Sequence, residues 1–263
     1  PDADMHGIDL VLPDFSYLRD NARRIAALVA THGHEDHVGG IQYLLRDNDG
    51  IGHLRDDPLP IYGAALTLGL ARNRIDEAGL LGRCDMRAVN DNESVEIGPF
   101  TVEFIPVTHS VPHAHAIVVH TSQGIILHSG DWKLDLTPVD GRRTDLGRLG
   151  QLTAGNGVRL LMGDSTNAEE PGYAPSETSV GAVLRSVFAE HHDRRIITAS
   201  FASHLHRIQQ IADAAIGDGR KVATLGLSMK KNVRLGLELG VIKIPESSLI
   251  DIEKIGDYPP GEI

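Results

Sequence analysis

The chain of 263 residues, 41% hydrophobic and 23% charged, has the composition of an ordinary globular protein, with material for one large domain or two smaller ones. No apolar run approaches the roughly 20 residues needed to cross a bilayer, Pro1 to Gly7 are polar rather than a signal peptide, and the single cysteine, Cys84, excludes an intrachain disulfide and points to a reducing, cytoplasmic setting. A formal net charge of −11 weighs against non-specific coating of nucleic acid, which needs a large excess of Lys and Arg to displace counterions, and leaves room for a local basic channel.

Ile8 to Leu12 is a short apolar run ended by Pro13, and Ala26 to Ala30 is a second one that stops at Thr31-His32-Gly33-His34; both predict buried strands. Val38, Ile41, Leu44 and Leu45 then recur at helical spacing, so a histidine cluster sits where a strand hands over to a helix. Ala64 to Gly79 predicts another helix. From Arg87 to Leu127 the pattern breaks into β-rich runs, Ser94 to Ile97, Phe100 to Val107, Ala116 to His120 and Gly124 to Leu127, which predict one sheet of a sandwich. Gly157 to Met162 is a further apolar strand. Pro171-Gly172-Tyr173-Ala174-Pro175 is rich in turn formers and marks a domain boundary, placing one domain at 1–170 and a second at 171–263.

Beyond Pro175 the rhythm alternates: helix at Ser176 to His191, strand at Arg195 to Ser200, helix at His204 to Ile216, strand at Lys221 to Leu225, helix at Met229 to Leu239. Such alternation predicts a parallel α/β layer with crossover helices. Ile255 to Ile263, with Pro259-Pro260-Gly261, shows no periodic core pattern, so the α/β unit reads as unfinished.

His32-Gly33-His34-Glu35-Asp36-His37 offers three imidazoles and a carboxylate within six residues. Imidazole nitrogen and carboxylate oxygen together suit zinc, with manganese also reasonable. Residues two apart on an extended loop point to one side, so His32 and His34 can share an ion while Asp36 and His37 turn away to serve a second. His109, in Thr108-His109-Ser110, and Asp131, in Ser129-Gly130-Asp131, each end a predicted strand. Alone they read as an ordinary histidine and a turn aspartate; beside the first loop they become candidate ligands, with Asp131 as a bridge.

These stretches resemble the successive ligand motifs of the metallo-β-lactamase superfamily. Thr31 to Gly40, Ser129-Gly130-Asp131-Trp132-Lys133-Leu134-Asp135, Gly163-Asp164-Ser165-Thr166-Asn167 and Phe201-Ala202-Ser203-His204-Leu205-His206-Arg207 further resemble ribonuclease J, in order and over nearly the whole chain. The resemblance implies an α/β fold: a metallo-β-lactamase-like αββα sandwich with a partial β-CASP α/β domain, and RNA in the cleft between them. It implies a two-metal ribonuclease acting on single-stranded RNA, internally and from a 5′-monophosphate end. His32, His34 and His109 then hold one ion, Asp36 and His37 the other, and Asp131 both.

By the same resemblance Asp164 matches the first acidic motif of the β-CASP group and His206 its following histidine motif, joining Asp36 and Asp131 as catalytic candidates. Read by themselves, Asp164 is a turn or capping residue and His206 an interface histidine. Ser203, His206 and Arg207 flank a predicted strand-to-helix turn where backbone N–H groups favour a phosphate, and are candidate RNA contacts. His113 stands where the family commonly has an acidic residue; it and His115 are expected to be exposed near the cleft, not ligands, as are His191 and His192 on a helix end.

The family's core begins before the first residue here and runs past the last, through a histidine that completes the second metal; no histidine follows His206. A homo-oligomer is expected only of a complete protein. Two other readings stay open at this point: a metallo-β-lactamase-type hydrolase of esters or lactones, because the metal loop is shared with such enzymes, and a non-catalytic RNA-binding or scaffold subunit. The α/β layer and the Ser203-His204-Leu205-His206-Arg207 run weigh against the first, and the intact ligand motifs against the second.

Overall fold

A computed structural model describes residues 5–8, 10–155 and 157–263. Its elements in chain order are α1 (Ser16–Asp20), β1 (Leu28–Val29), α2 (Glu35–Val38), α3 (Ile41–Leu44), β2 (Leu59–Gly63), α4 (Ala65–Glu77), β3 (Cys84–Ala88), β4 (Ser94–Ile97), β5 (Phe100–Pro106), β6 (His115–Thr121), β7 (Gly124–His128), α5 (Leu146–Leu152), β8 (Val158–Met162), α6 (Thr178–Glu190), α7 (Leu205–Gly217), β9 (Val222–Ala223), α8 (Leu227–Glu238) and β10 (Leu249–Ile250).

Two sheets make the centre. The first is parallel, in the order β1-β2-β3; the second runs β4-β5-β6-β7-β8, antiparallel through β7 and parallel at β8. Period-2 alternation on β5 explains how both faces of the second sheet become cores. Val102 and Phe104 point one way, into a cluster with Tyr62, Val89, Ile97 and Ile117 that joins the sheets. Ile105 points the other way, with Val107, Ala116, Val118 and Leu152, under α5. Glu103 shares that outer face and is buried, held by the Arg148 guanidinium of α5 at 2.5 and 2.8 Å, so α5 is tied down by charge as well as by Leu149 and Leu152. On the other flank Val38, Ile41, Leu44 and Leu45 pack with Ile61, Leu68, Ala71 and Ile75, which sets α2, α3 and α4 against the first sheet. The result is four layers, αββα.

Helix α4 carries apolar residues on two faces. Leu68, Ala71 and Ile75 serve the core just described, while Leu66 and Leu70 join Leu205, Ile208, Val233 and Ile242 of the α/β half. This second cluster places α7 and α8 against the sandwich, beside the loop that leaves β1.

Three expectations need correction. Residues 8 and 10–12 form no strand: Leu10 and Val11 are 48% and 58% exposed, and no neighbouring backbone among the described residues offers a ladder to satisfy them. Asp9 of that run, like residues 1–4 at the head of the expected first domain, lies outside the described residues. Arg195 to Ser200 is irregular too, with Ile197 91% exposed; the segment runs along an apolar hollow of about 320 Å³ instead of pairing. Among the described residues the sheet of the α/β half is therefore β9 and β10 alone, parallel as expected. Finally, His115 is not exposed: it is 1% accessible on β6 and hydrogen-bonded to Asp91 at 2.8 Å. Strands β2 and β3 were not anticipated, because Pro60 interrupts the first and the second, Cys84-Asp85-Met86-Arg87-Ala88, carries too little apolar material to stand out. Among the described residues no helix is long and apolar enough to cross a membrane.

Candidate metal centre

The loop after β1 packs closely on α4: a Cβ at Gly33 would stand 2.5 Å from Leu70 Cδ1, so any larger residue there must displace the Leu70 side chain. His32 is thereby buried, and the Thr31 hydroxyl lies 3.0 Å from its Nδ1, leaving Nε2 to face the centre. His34 Nδ1 sits 3.2 Å from His32 Nε2 and 3.0 Å from His109 Nε2, and its Nε2 is 3.2 Å from Ser110 Oγ. His109 comes from the loop between β5 and β6.

Asp131 follows β7 through Gly130, whose φ is +59° and where a Cβ would stand 2.9 Å from Thr31 Cβ and 3.1 Å from the His115 carbonyl, so a side chain is disfavoured there. The carboxylate thus arrives in the middle of the histidines. Its Oδ2 is 3.7 Å from His32 Nε2 and 3.9 Å from His109 Nε2, while Oδ1 is 3.4 Å from His37 Nε2. His37 is also 3.6 Å from Asp36.

Two donor groups emerge. His32, His34, His109 and Asp131 offer ligand atoms within 4.8 Å of one another, and Asp36, His37 and Asp131 form a second such set. Their electrostatics suit a cation. Burial, reinforced by the neighbouring imidazoles, lowers the His32 pKa to about 2, and burial with His34 lowers His109 to about 4. Both are neutral at pH 7, with lone pairs aimed at a common point, an arrangement that a divalent ion stabilises and protons do not.

The remaining sequence candidates fall in different places. Asp164 is outside both donor sets; its Oδ1 accepts from the Thr166 N–H at 2.9 Å and its Oδ2 from the Trp132 N–H at 3.3 Å, which fixes the chain directly after Asp131. Burial raises its pKa, but these hydrogen bonds win and hold it low. Ser203 lines a cleft of about 580 Å³ together with His34, Glu35, Asp36, Ser110, Phe201 and His204. His206 points elsewhere, buried with Nε2 3.1 Å from Asp140 Oδ2. Arg207 donates in a fork to Glu177, at 2.5 and 2.9 Å, so its charge is already paired.

Sequence reasoning passed over His204. It caps α7, its Nδ1 accepting weakly from the Arg207 N–H at 3.4 Å, and its Nε2 lies 3.5 Å from Glu177, with burial lowering its pKa to about 4. Its place as an N-cap three residues before Arg207 was the available signal.

Four αββα layers and a histidine–aspartate cluster at the mouth of the first sheet define a protein of the metallo-β-lactamase class. A family model described as "Beta-lactamase superfamily domain" matches residues 5–145, and one described as "Ribonuclease J, beta-CASP domain" matches residues 193–263. Ribonuclease J of Thermus thermophilus is 42% identical over all of this chain, Ribonuclease J 1 of Streptococcus pyogenes likewise 42%, and Ribonuclease J of Helicobacter pylori 38%. The chain spans 45% of the length of the first two and 37% of the third. A solved structure from Enterococcus faecalis, titled as a protein of unknown function, shares the fold at a TM-score of 0.60 and 17% identity, over 89% of this chain and 56% of that one. The chain belongs to the beta-lactamase superfamily, and within it is similar to ribonuclease J along its whole length.

Proposed function

We propose that this chain carries the two-metal centre of a ribonuclease that hydrolyses phosphodiesters of single-stranded RNA. The observation that carries the reading is the convergence of three imidazoles on Asp131, with a second donor set sharing the same carboxylate. In this reading His32, His34 and His109 hold one divalent ion, Asp36 and His37 the other, and Asp131 serves both; zinc is the default ion for these donors and manganese the alternative. Bound there, the ions supply Lewis acidity at a phosphoryl oxygen and acidify a water.

The chain's own groups do the rest. Thr31 and Ser110 orient His32 and His34, and Asp164 steadies the backbone after Asp131. The substrate occupies the cleft between a domain at 1–170 and one at 171–263, where Ser203 and the N–H groups at the start of α7 contact the RNA backbone. His206 and Arg207 contribute by holding α7 in place, through Asp140 and Glu177. Cleavage is both internal and 5′-to-3′ from a monophosphorylated end, in a cytoplasmic protein whose complete form associates with itself.

The test offers the metal-loaded protein, as its cell makes it, 5′-monophosphorylated single-stranded RNA and, separately, a chromogenic ester and a lactone. RNA cleavage that Asp131→Ala reduces by at least ~10²-fold, the scale of one lost electrostatic group, supports the reading. Intact RNA beside rapid ester or lactone turnover overturns it.

A further inference from the structure

The loop that delivers His109 is closed at its neck by a residue far from it in sequence. Val107 and Ala114 form the closing pair, the Val107 N–H donating to the Ala114 carbonyl at 3.1 Å. Arg142 then donates to both residues at once, Nη1 to the Val107 carbonyl at 2.9 Å and Nη2 to the Ala114 carbonyl at 2.8 Å. Its Nε and Nη2 also donate to Asp91, at 2.8 and 2.6 Å, and only 14% of its side chain is exposed.

Thr108, adjacent to His109, is fixed by the same turn. Its N–H donates to Thr144 Oγ1 at 3.0 Å, its hydroxyl to the Arg142 carbonyl at 3.3 Å, and its carbonyl accepts from the Lys133 N–H at 2.8 Å. The far end of the turn reaches the α/β half, since Asp140 accepts from the Arg142 N–H at 2.9 Å and lies 3.1 Å from His206 of α7. The residue before His109 is therefore held at its N–H, hydroxyl and carbonyl by residues 133–144.

We propose that Arg142, with Asp91 as its counter-ion, is a positioning pair that sets His109 for metal binding, and that the 140–144 turn joins that loop to α7. The inference rests on the metal reading of the site. A neutral side chain lacks the five-donor fork needed to reach two carbonyls and a carboxylate together, and a guanidinium so enclosed needs a carboxylate beside it. Burial pushes Asp91 up, yet the hydrogen bonds from His115 and Arg142 outweigh it and hold Asp91 ionised well below the usual carboxylate range. His115 Nδ1 is buried with no hydrogen-bond partner among the described residues, so the contact of its other nitrogen with Asp91 is what accounts for an imidazole at that position.

The test reads metal binding without RNA. Metal-free protein is titrated with Co(II), following the visible absorption of the histidine-bound ion, and Zn(II) affinity is measured by competition with a chromophoric chelator. Arg142→Gln and Asp91→Asn are each expected to weaken binding by ~10–100-fold, as loss of an outer-shell partner does, and to change the Co(II) spectrum. Thr144→Val, which removes one acceptor and no charge, shifts both in the same direction by less. Phe188→Leu, in the separate cluster under α6, lowers the melting temperature and leaves affinity and spectrum alone. Arg142→Lys, which restores charge without the fork, stays weak; full recovery by lysine overturns the proposal. So does a folded Arg142→Gln or Asp91→Asn protein with wild-type affinity and spectrum. If the wild type takes up no Co(II), the metal reading fails together with it, whereas wild-type uptake without RNA cleavage defeats only the ribonuclease reading.

Discussion

Beside the cleft, the sandwich and the α/β half handle their polar groups in opposite ways. In the sandwich, His32, His34, His37, His109 and Asp131 converge with their donor atoms free to meet a cation, and neighbours such as Thr31 and Ser110 orient them without neutralising them. In the α/β half, charges are paired before they reach the cleft: Arg207 with Glu177, and the fully buried Arg220 with Asp218 and the carbonyls of His191 and Arg194. One half is built to bind an ion, the other to stay in shape as a wall. For a chain with a net charge of −11, the proposed ribonuclease reading therefore assigns the grip on a polyanion to the ions, the hydroxyl of Ser203 and the N–H groups of α7 rather than to surface cations.

The contrast can be broken by mutation. The largest effect is expected from Phe104→Ala, which empties the contact between the two sheets and costs about 3–5 kcal/mol in urea unfolding; a loss near zero means that the sheets are not held there. Glu177→Gln unpairs Arg207 and loosens α6 from α7, at a cost of about 2 kcal/mol, the scale of a charged hydrogen bond. Zn(II) affinity is expected to survive that change. A large drop in affinity would show that the two halves are not separable in the way their polar groups indicate.

Titration sharpens the same contrast with a smaller effect. His32, His109 and His204 have pKa values lowered to about 2, 4 and 4 by burial, against about 6.5 in the unfolded chain. Below pH ~6.5 the unfolded chain therefore takes up protons that the folded one refuses, so stability is full above that pH and falls as pH drops toward ~4. The melting temperature of the metal-free protein is expected to follow that slope. Two of the three groups are candidate ligands, so Zn(II) should raise the whole curve and steepen it, because protons and metal compete for the same nitrogens. A curve flat between pH 7 and 4.5 would mean that these imidazoles are not buried neutral.

The difference between the halves also governs what the sequence made legible. The strands from Ser94 to Met162 were readable because each is a short run rich in β-branched and other apolar residues, and the histidine loop because its ligands are contiguous and contiguity survives folding. Strand β2 was hidden by Pro60, and Arg195 to Ser200 misled because an apolar run reports burial tendency, not whether a partner strand lies beside it. Ser203 lines the cleft. His206 and Arg207 went elsewhere because their partners, Asp140 and Glu177, are remote in sequence and no local pattern couples them. Arg142 was invisible for the same reason: a surface-like Gly-Arg-Arg turn gives no hint that one guanidinium closes the neck of the His109 loop.

The most direct test counts ions against catalysis. Metal-free protein, as its cell makes it, is loaded stepwise with Zn(II) or Mn(II), bound metal is measured after equilibrium dialysis, and cleavage of 5′-monophosphorylated single-stranded RNA is followed at each step. The account predicts that cleavage rises with the second equivalent and that Asp131→Ala neither retains that ion nor cleaves. Full-rate cleavage by the metal-stripped protein or by Asp131→Ala would contradict it.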